Sequence, residues 1–168
     1  FAQYGIEQLA KELDEYWQQS AITLAYIMLP AGTGTTALFL QTWFRKQDLP
    51  YKVLTCACVG GDDYLKKQFQ QLNNNTEQWP SILTPHKKYH FGKLYPEFYQ
   101  IWQQLNDETK IEFDLLYDPL GWQVLLRFLN EQAQSTKQEA DVIYIHQGGI
   151  IGNQTMLPRY RRKYPTLK

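Results

Sequence analysis

The sequence feature that most constrains this chain is a glycine- and threonine-rich stretch at residues 29–37, LPAGTGTTA, that directly follows an apolar run. The apolar run, residues 21–29, has the composition of a strand that is buried on both faces. After the stretch, Ala37, Leu40 and Phe44 have helical spacing. The pattern therefore predicts a strand, a tight turn and a helix.

The composition of this turn favours the binding of a phosphate group. Gly32 and Gly34 allow positive φ angles and close approach of the backbone to a ligand. The first amides of the following helix have no intrahelical partner and lie at the positive end of its dipole. The hydroxyls of Thr33, Thr35 and Thr36 stand among those amides. A phosphate cradle is one interpretation, and a simple tight turn is the other.

Two nucleotide-binding motifs are excluded at this turn. It lacks the Gly-Lys-Ser/Thr ending of a P-loop, so it offers no phosphate-binding lysine. It also lacks the third glycine of a dinucleotide fingerprint, since Leu38 and Phe39 follow. The expected ligand is a phosphorylated molecule other than ATP or NAD.

Composition limits the class of protein. A length of 168 residues predicts a single domain, residues 1–168, and a net charge of zero with a pI near 7.0 gives no reason to expect nucleic acid or an anionic membrane as a partner. Cys56 and Cys58 are interpreted as core thiols in a reducing, cytoplasmic compartment, and no metal site is expected. The basic residues 159–163 are interpreted as a solvated end.

Predicted strands alternate with predicted helices along the chain. This order favours an α/β fold, a three-layer sandwich with a mostly parallel sheet. The strands are expected at residues 21–29, 51–59 and 140–145. The helices are expected at residues 4–18, from the cradle to residue 46, at 62–72, and starting at Pro96 and at Asp118. Residues 79–90 are expected to be irregular. Ligands of such sheets bind at the carboxyl ends of the strands, where the cradle, Gly60-Gly61 and residues 146–149 are predicted to converge.

Three motifs occur in this chain in an order that is typical of one enzyme family: Gly32-Thr-Gly-Thr-Thr36, Tyr117-Asp118-Pro119 and Ile145-His-Gln-Gly-Gly149. They resemble the 1-aminocyclopropane-1-carboxylate deaminase and D-cysteine desulfhydrase family, pyridoxal-phosphate (PLP) enzymes of fold type II. The resemblance runs over nearly the whole chain but covers only the C-terminal half of a family member. It implies that the chain is the large-domain part of such an enzyme.

The resemblance also implies roles for individual residues. Tyr117 would assist the chemistry on the substrate, and Asp118 would face the pyridine nitrogen of PLP. Gln147 stands where family members carry leucine or threonine beside the cofactor. The residues implied to bind the cofactor are Gly32, Thr33, Gly34, Thr35, Thr36, Asp118, Gln147 and Gly148.

The implied activity belongs to a longer protein. A complete family member would act on a small amino acid, release ammonia or sulfide and ammonia, and leave a 2-oxo acid; it would be a homodimer. The lysine that binds PLP covalently lies in the N-terminal half of the family, and no lysine of this chain matches its motif. The chain alone is therefore expected to be inactive.

Simpler alternatives stay open for these residues. Asp118 before Pro119 is a good helix N-cap whatever the ligand, and Tyr117 is one of twelve tyrosines. His146 at a strand end is more often structural than catalytic. At the level of the whole chain, the alternatives are a non-catalytic α/β module that binds a phosphorylated metabolite, and a pseudoenzyme fragment.

Overall fold

The computed structural model describes residues 2–19, 25–135 and 140–166. Two single turns of 3-10 helix lie at Thr76–Gln78 and Ile150–Gly152. The other elements are α1 (Ala2–Gln18), β1 (Ala25–Ala31), α2 (Thr35–Lys46), β2 (Lys52–Ala57), α3 (Asp62–Leu72), β3 (Ser81–Ile82), α4 (Pro96–Thr109), α5 (Asp118–Ser135), β4 (Asp141–Tyr144) and α6 (Asn153–Lys163).

The four strands form one parallel sheet in the order β3-β2-β1-β4. The register places Leu29 beside Thr55 on β2 and Met28 beside Tyr144 on β4. Because β1 lies between β2 and β4, the turn that follows it opens near the middle of the carboxyl edge of the sheet. The fold thus places the cradle at the edge where parallel sheets bind ligands.

Helices cover both faces of the sheet. Residues Ile27 and Leu29 of β1 pack against α1 and α2, and the alternate residues Tyr26 and Met28 pack against α5 and Phe98 of α4. Helix α3 packs beside α2 on the first face. Since β1 is buried along its whole length, its apolar run lies in the centre of the core. The predicted α/β three-layer sandwich is confirmed.

The bounds of the central strand differ slightly from the prediction. Residues 21–24 lie outside the described residues, and β1 continues through Pro30 to Ala31. Pro30 has no N–H to donate, but the ladder between β1 and β4 has already ended, with Ile145 donating its amide to Met28. The proline therefore removes no ladder bond.

Two elements are not predicted from the sequence, β3 and α6. Strand β3 has only two residues and lies in the segment expected to be irregular. Helix α6 includes the basic residues 159–163 that were interpreted as a solvated end. That interpretation is wrong for Tyr160, which is fully buried and donates its hydroxyl to the Tyr95 carbonyl, whereas Arg161 is exposed in the last turn. The reason is that α6 packs its apolar side against α4.

Within the described residues, none of the helices combines the length and the apolar character that crossing a bilayer requires.

Candidate functional site

A cavity of about 410 Å³ opens at the carboxyl end of β1. All nine residues that the sequence singled out as a site line this one cavity. Its complete lining is residues 29–37, Asp114, Tyr117, Asp118, Gln147, Gly148 and Gly149. The Gly60-Gly61 turn, which was expected to converge on the same site, lines a neighbouring cavity of about 560 Å³ instead.

The cradle forms one wall of the cavity. Gly34 is left-handed, with φ 73°, and directly precedes α2. The first backbone hydrogen bond of the helix runs from the Leu38 amide to the Gly34 carbonyl. The amides of residues 35–37 therefore have no acceptor within α2. The hydroxyls of Thr33 and Thr35 lie 3.2 Å apart at the same end. The geometry is that of an anion site at a helix N-terminus.

Close packing explains why the third position of this Gly-Thr-Gly sequence, residue 34, is glycine. A Cβ on Gly34 would lie 2.5 Å from Cε1 of Phe69 and 2.6 Å from Cδ1 of Leu65. Both side chains belong to α3 and are fully buried. Residue 34 therefore needs glycine for its backbone angles and also for the space that α3 occupies.

Tyr117 forms the opposite wall of the cavity. A Cβ on Gly32 would lie 3.6 Å from the Tyr117 hydroxyl, so the phenol and the cradle backbone face each other across a short gap. Burial raises the pKa of Tyr117, and nearby Cys58 and Asp114 add to the shift. The phenol is therefore a neutral hydrogen-bond donor at physiological pH. Its other side contacts the half-exposed ring of Phe91, with centroids 5.2 Å apart.

Asp118 is fully buried behind Tyr117. Its Oδ1 accepts the Tyr144 hydroxyl at 2.8 Å, and its Oδ2 lies 2.8 Å from Nδ1 of His146 and accepts the Asp114 amide at 3.0 Å. Burial and the Asp118 charge raise the pKa of Tyr144 well above its ordinary value. These partners lie on β4, on the residues after it and on the segment before α5. Asp118 thus ties α5 to β4.

Asp114 is a site residue that the sequence analysis missed. It is 3% exposed, and its Oδ1 accepts the amides of Leu116 and Tyr117, both at 2.7 Å. Burial, followed by the charge of Asp118 and a hydrogen bond to it, raises the pKa of Asp114 to about 7. The pattern Asp-x-x-x-Asp before a helix, with the first aspartate bonding amides two and three residues on, was a turn signal that could have revealed it.

Asp114 and Asp118 line this cavity, and His146, which is not a lining residue, contacts Asp118. One ligand atom from each lies within 4.8 Å of the others. The hydrogen bonds that Asp118 makes to the Asp114 amide and to the His146 ring account for this proximity. We therefore describe the three residues as a hydrogen-bonded group.

Gln147 and the two glycines after it complete the rim. The side-chain amide of Gln147 donates to the Pro30 carbonyl at 2.6 Å. This carbonyl has no partner in the ladder between β1 and β4, which ends before it. Gly148 and Gly149 are left-handed and exposed. The side chain of Gln147 therefore fastens this turn to the cradle strand.

No cationic side chain of the described residues lines the cavity. Lys87 and Lys88 line the neighbouring cavity, where Lys87 pairs with Glu97 at 2.8 Å. The anion donors of the cavity are thus backbone amides and hydroxyls, and a lysine for covalent attachment of a cofactor is not among the lining residues that the structure describes.

Comparisons with known proteins identify the fold. No family model matches the sequence, and no curated protein is significantly similar to it in sequence. The crystal structure of an ACC deaminase homologue is similar, with a TM-score of 0.69 and 19% sequence identity over 93% of this chain. The match covers 49% of that chain, so the present chain spans about half its length. The protein has an ACC deaminase-like α/β fold with an all-parallel sheet.

Proposed function

We propose that this chain is the cofactor-binding part of a PLP-dependent enzyme of the deaminase or desulfhydrase type. The observation that carries the proposal is the cradle that follows β1: an anion site on an ACC deaminase-like fold, facing a neutral phenol across one cavity. The cradle would hold the phosphate of PLP through the amides and hydroxyls of residues 32–36.

The donor set fits the phosphate end of this cofactor. A phosphate dianion takes hydrogen bonds from backbone amides at a helix N-terminus, and Thr35 and Thr36 add hydroxyls in the first turn. Tyr117 would contact the ligand from the wall opposite the cradle. PLP, when bound, supplies an electron sink for chemistry on an amino acid.

Asp118 fits the ring-nitrogen end less directly. The carboxylate is fully buried, and its two oxygens already lie within hydrogen-bond distance of Tyr144, His146 and the Asp114 amide. A bond to a pyridine nitrogen requires a further acceptor site on one of these oxygens. In our proposal Asp118 keeps this predicted role and also supports the wall that carries Tyr117.

The activity of the complete enzyme belongs to the same proposal. It would act in the cytoplasm on a small amino acid as a homodimer, releasing ammonia, or sulfide and ammonia, and a 2-oxo acid. Neither nucleic acid nor a membrane is a proposed partner. The chain alone would bind the phosphate without turnover.

One observation favours a second candidate, a non-catalytic module for a phosphorylated metabolite. The described lining of the cavity contains no lysine. Such a module would bind many phosphorylated ligands with similar affinity, whereas the cofactor site would prefer PLP to inorganic phosphate.

The two candidates are separated by a binding experiment on the full chain. PLP, pyridoxal without its phosphate, and inorganic phosphate are titrated, followed by desalting, absorption spectra and borohydride treatment. We expect retained PLP that borohydride does not attach to the protein, and little retained pyridoxal. Thr36→Val should weaken PLP binding about 5-fold or more through the lost hydroxyl, and the exposed Thr155→Val should not. Equal affinity for PLP and inorganic phosphate would favour the module, and no retention would overturn both candidates.

A further inference from the structure

We propose that Asp114 is a positioning residue of the cradle cavity: its carboxyl holds Tyr117 opposite Gly32, and its ionisation weakens the binding of a phosphate ligand. The inference deepens the proposed function and rests on it for the presence of a phosphate in the cavity. Neither the sequence motifs nor the implied family roles include this residue.

The positioning role follows from the hydrogen bonds of Asp114. Its Oδ1 accepts the amides of Leu116 and Tyr117, which closes a turn immediately before α5. Its own amide donates to Oδ2 of Asp118. The turn is therefore fixed at both ends, and the Tyr117 side chain leaves it toward Gly32. Loss of the Asp114 acceptor would leave two amides at the base of Tyr117 without their partner.

Helix α6 holds the same turn from outside. Asn153, which is 2% exposed, accepts the Leu115 amide at 2.9 Å and donates to the Phe113 carbonyl at 2.8 Å. These two backbone groups flank Asp114. The side-chain amide nitrogen of Asn153 also donates to Oε1 of Glu112 at 3.1 Å. The placement of Asp114 is thus determined by a buried side chain that does not line the cavity.

Several ionisable groups lie around Asp114. Asp118 faces it from α5, Cys58 from the end of β2, Tyr117 from its own turn, and Tyr144 and His146 from the β4 side through Asp118. Burial and the Asp118 charge favour the protonated form of Asp114, with a pKa of about 7. An asparagine at this position keeps the carbonyl acceptor and a donor toward Asp118 but cannot ionise.

Asp114 and the cradle line the same cavity, which makes the charge of Asp114 relevant to the ligand. Charges that are partly buried are screened by salt much less than exposed ones. A carboxylate and a phosphate dianion in one cavity repel each other. The affinity for a phosphate ligand should therefore fall when Asp114 ionises, as the pH rises through 7.

The test compares the full chain with Asp114→Asn by titrating PLP and inorganic phosphate from pH 5.5 to 8.5. The titration of the ligand is common to both proteins and cancels in the ratio of their affinities. We expect equal affinities at pH 5.5 and about 5-fold weaker binding by the unsubstituted chain at pH 8.5. Asp107→Asn, which removes an exposed carboxylate from α4, is the matched control and should follow the unsubstituted chain. A carboxyl NMR titration of Asp114 gives its protonation without ligand.

Each outcome decides one proposal. If the ratio of the two proteins' affinities is independent of pH for both ligands, or if Asp114 titrates near 4, the inference is overturned. The proposed function would still stand in that case, provided that the chain binds PLP. A pH-dependent ratio for inorganic phosphate without a preference for PLP would support the inference and contradict the cofactor proposal. Asp114→Ala, if folded, should bind about 5-fold more weakly than Asp114→Asn at pH 5.5, because only the alanine variant releases the turn. Equal binding by the two would remove the positioning role.

Discussion

The side-chain amide of Gln147 donates to the carbonyl oxygen of Pro30 at 2.6 Å. This bond continues the pairing of β4 with β1 beyond the last backbone bond, from Ile145 to Met28. Gly148 and Gly149, on the rim of the cavity, follow immediately. Gln147 thus fastens this glycine turn to the cradle strand.

Gln147→Leu should lower the free energy of unfolding by about 1 kcal/mol, because the Pro30 carbonyl loses its partner. It should also weaken PLP binding, since the glycine turn is no longer fastened to the cradle strand. Urea unfolding and PLP titration check both effects. Gln154→Leu, an exposed change on α6, is the control. Unchanged stability and PLP binding in Gln147→Leu would show that this hydrogen bond contributes to neither.

Gly34→Ala should destabilise the fold severely. The left-handed backbone costs about 1–2 kcal/mol for a residue with a Cβ, and the contacts with Phe69 and Leu65 add about 1–3 kcal/mol. Gly149→Ala is a matched control because Gly149 is also left-handed, with φ 86°, but a Cβ there would meet no atom within 4 Å. Thermal unfolding of both variants should show a larger loss for Gly34→Ala; equal losses would contradict the packing argument.

Asp118→Ala should reduce the free energy of unfolding by about 3–5 kcal/mol. The change leaves the buried Tyr144 hydroxyl and the Asp114 amide without their acceptor, at a cost of about 1–3 kcal/mol each. Asp62→Ala, which removes a partly exposed bond to Thr84, should cost about 1 kcal/mol or less. Denaturant titration measures both, and a small loss for Asp118→Ala would mean that α5 does not depend on this connection to β4.

The contribution of Asp114 to the free energy of unfolding should fall as the pH rises from about 4 to about 7. Burial and Asp118 raise the pKa of Asp114 from 3.8 to about 7, so the folded state favours the protonated carboxyl. The unfolded chain releases that proton near pH 4, and the resulting stabilisation is lost as the pH passes through the folded pKa. Urea unfolding from pH 4 to 8 measures the slope. The slope should be smaller in Asp114→Asn and unchanged in Asp107→Asn; parallel curves for all three proteins would refute the raised pKa.

Local patterns predicted the elements that depend on nearby residues. Helix α3 begins at Asp62 and ends at Leu72 as expected, because the glycine turn, the acidic first turn and the apolar spacing all lie within it. The same holds for the starts of α4 at Pro96 and of α5 at Asp118. Strand β3 was not predicted, because a strand of two residues is too short to show the alternation of apolar and polar side chains.

Contacts between distant residues account for what the sequence did not reveal. Tyr160 is buried because its hydroxyl meets Tyr95, 65 positions away, and no local pattern indicates that partner. Asp114 carries a local turn signal, but its burial and the hydrogen bonds of Asn153 to the residues on either side of it appear only in the folded chain. The Asp118 carboxylate was read as a helix cap or as a cofactor ligand, and its contacts with Tyr144 and His146 become visible only in the folded chain.

The sequence by itself determined the alternation of strands and helices, the parallel sheet, and the cradle at the end of β1, because hydrophobic period, glycine conformation and helix-end chemistry act over a few residues. Tertiary structure alone decided that the buried Asp114 joins Asp118, Tyr117 and Gln147 in the cavity of the cradle. It also decided that Gly60-Gly61 lies in another. The physical reason is that the packing of helices on both faces of the sheet sets which turns meet at its edge, and burial then sets the charge of the groups that meet there.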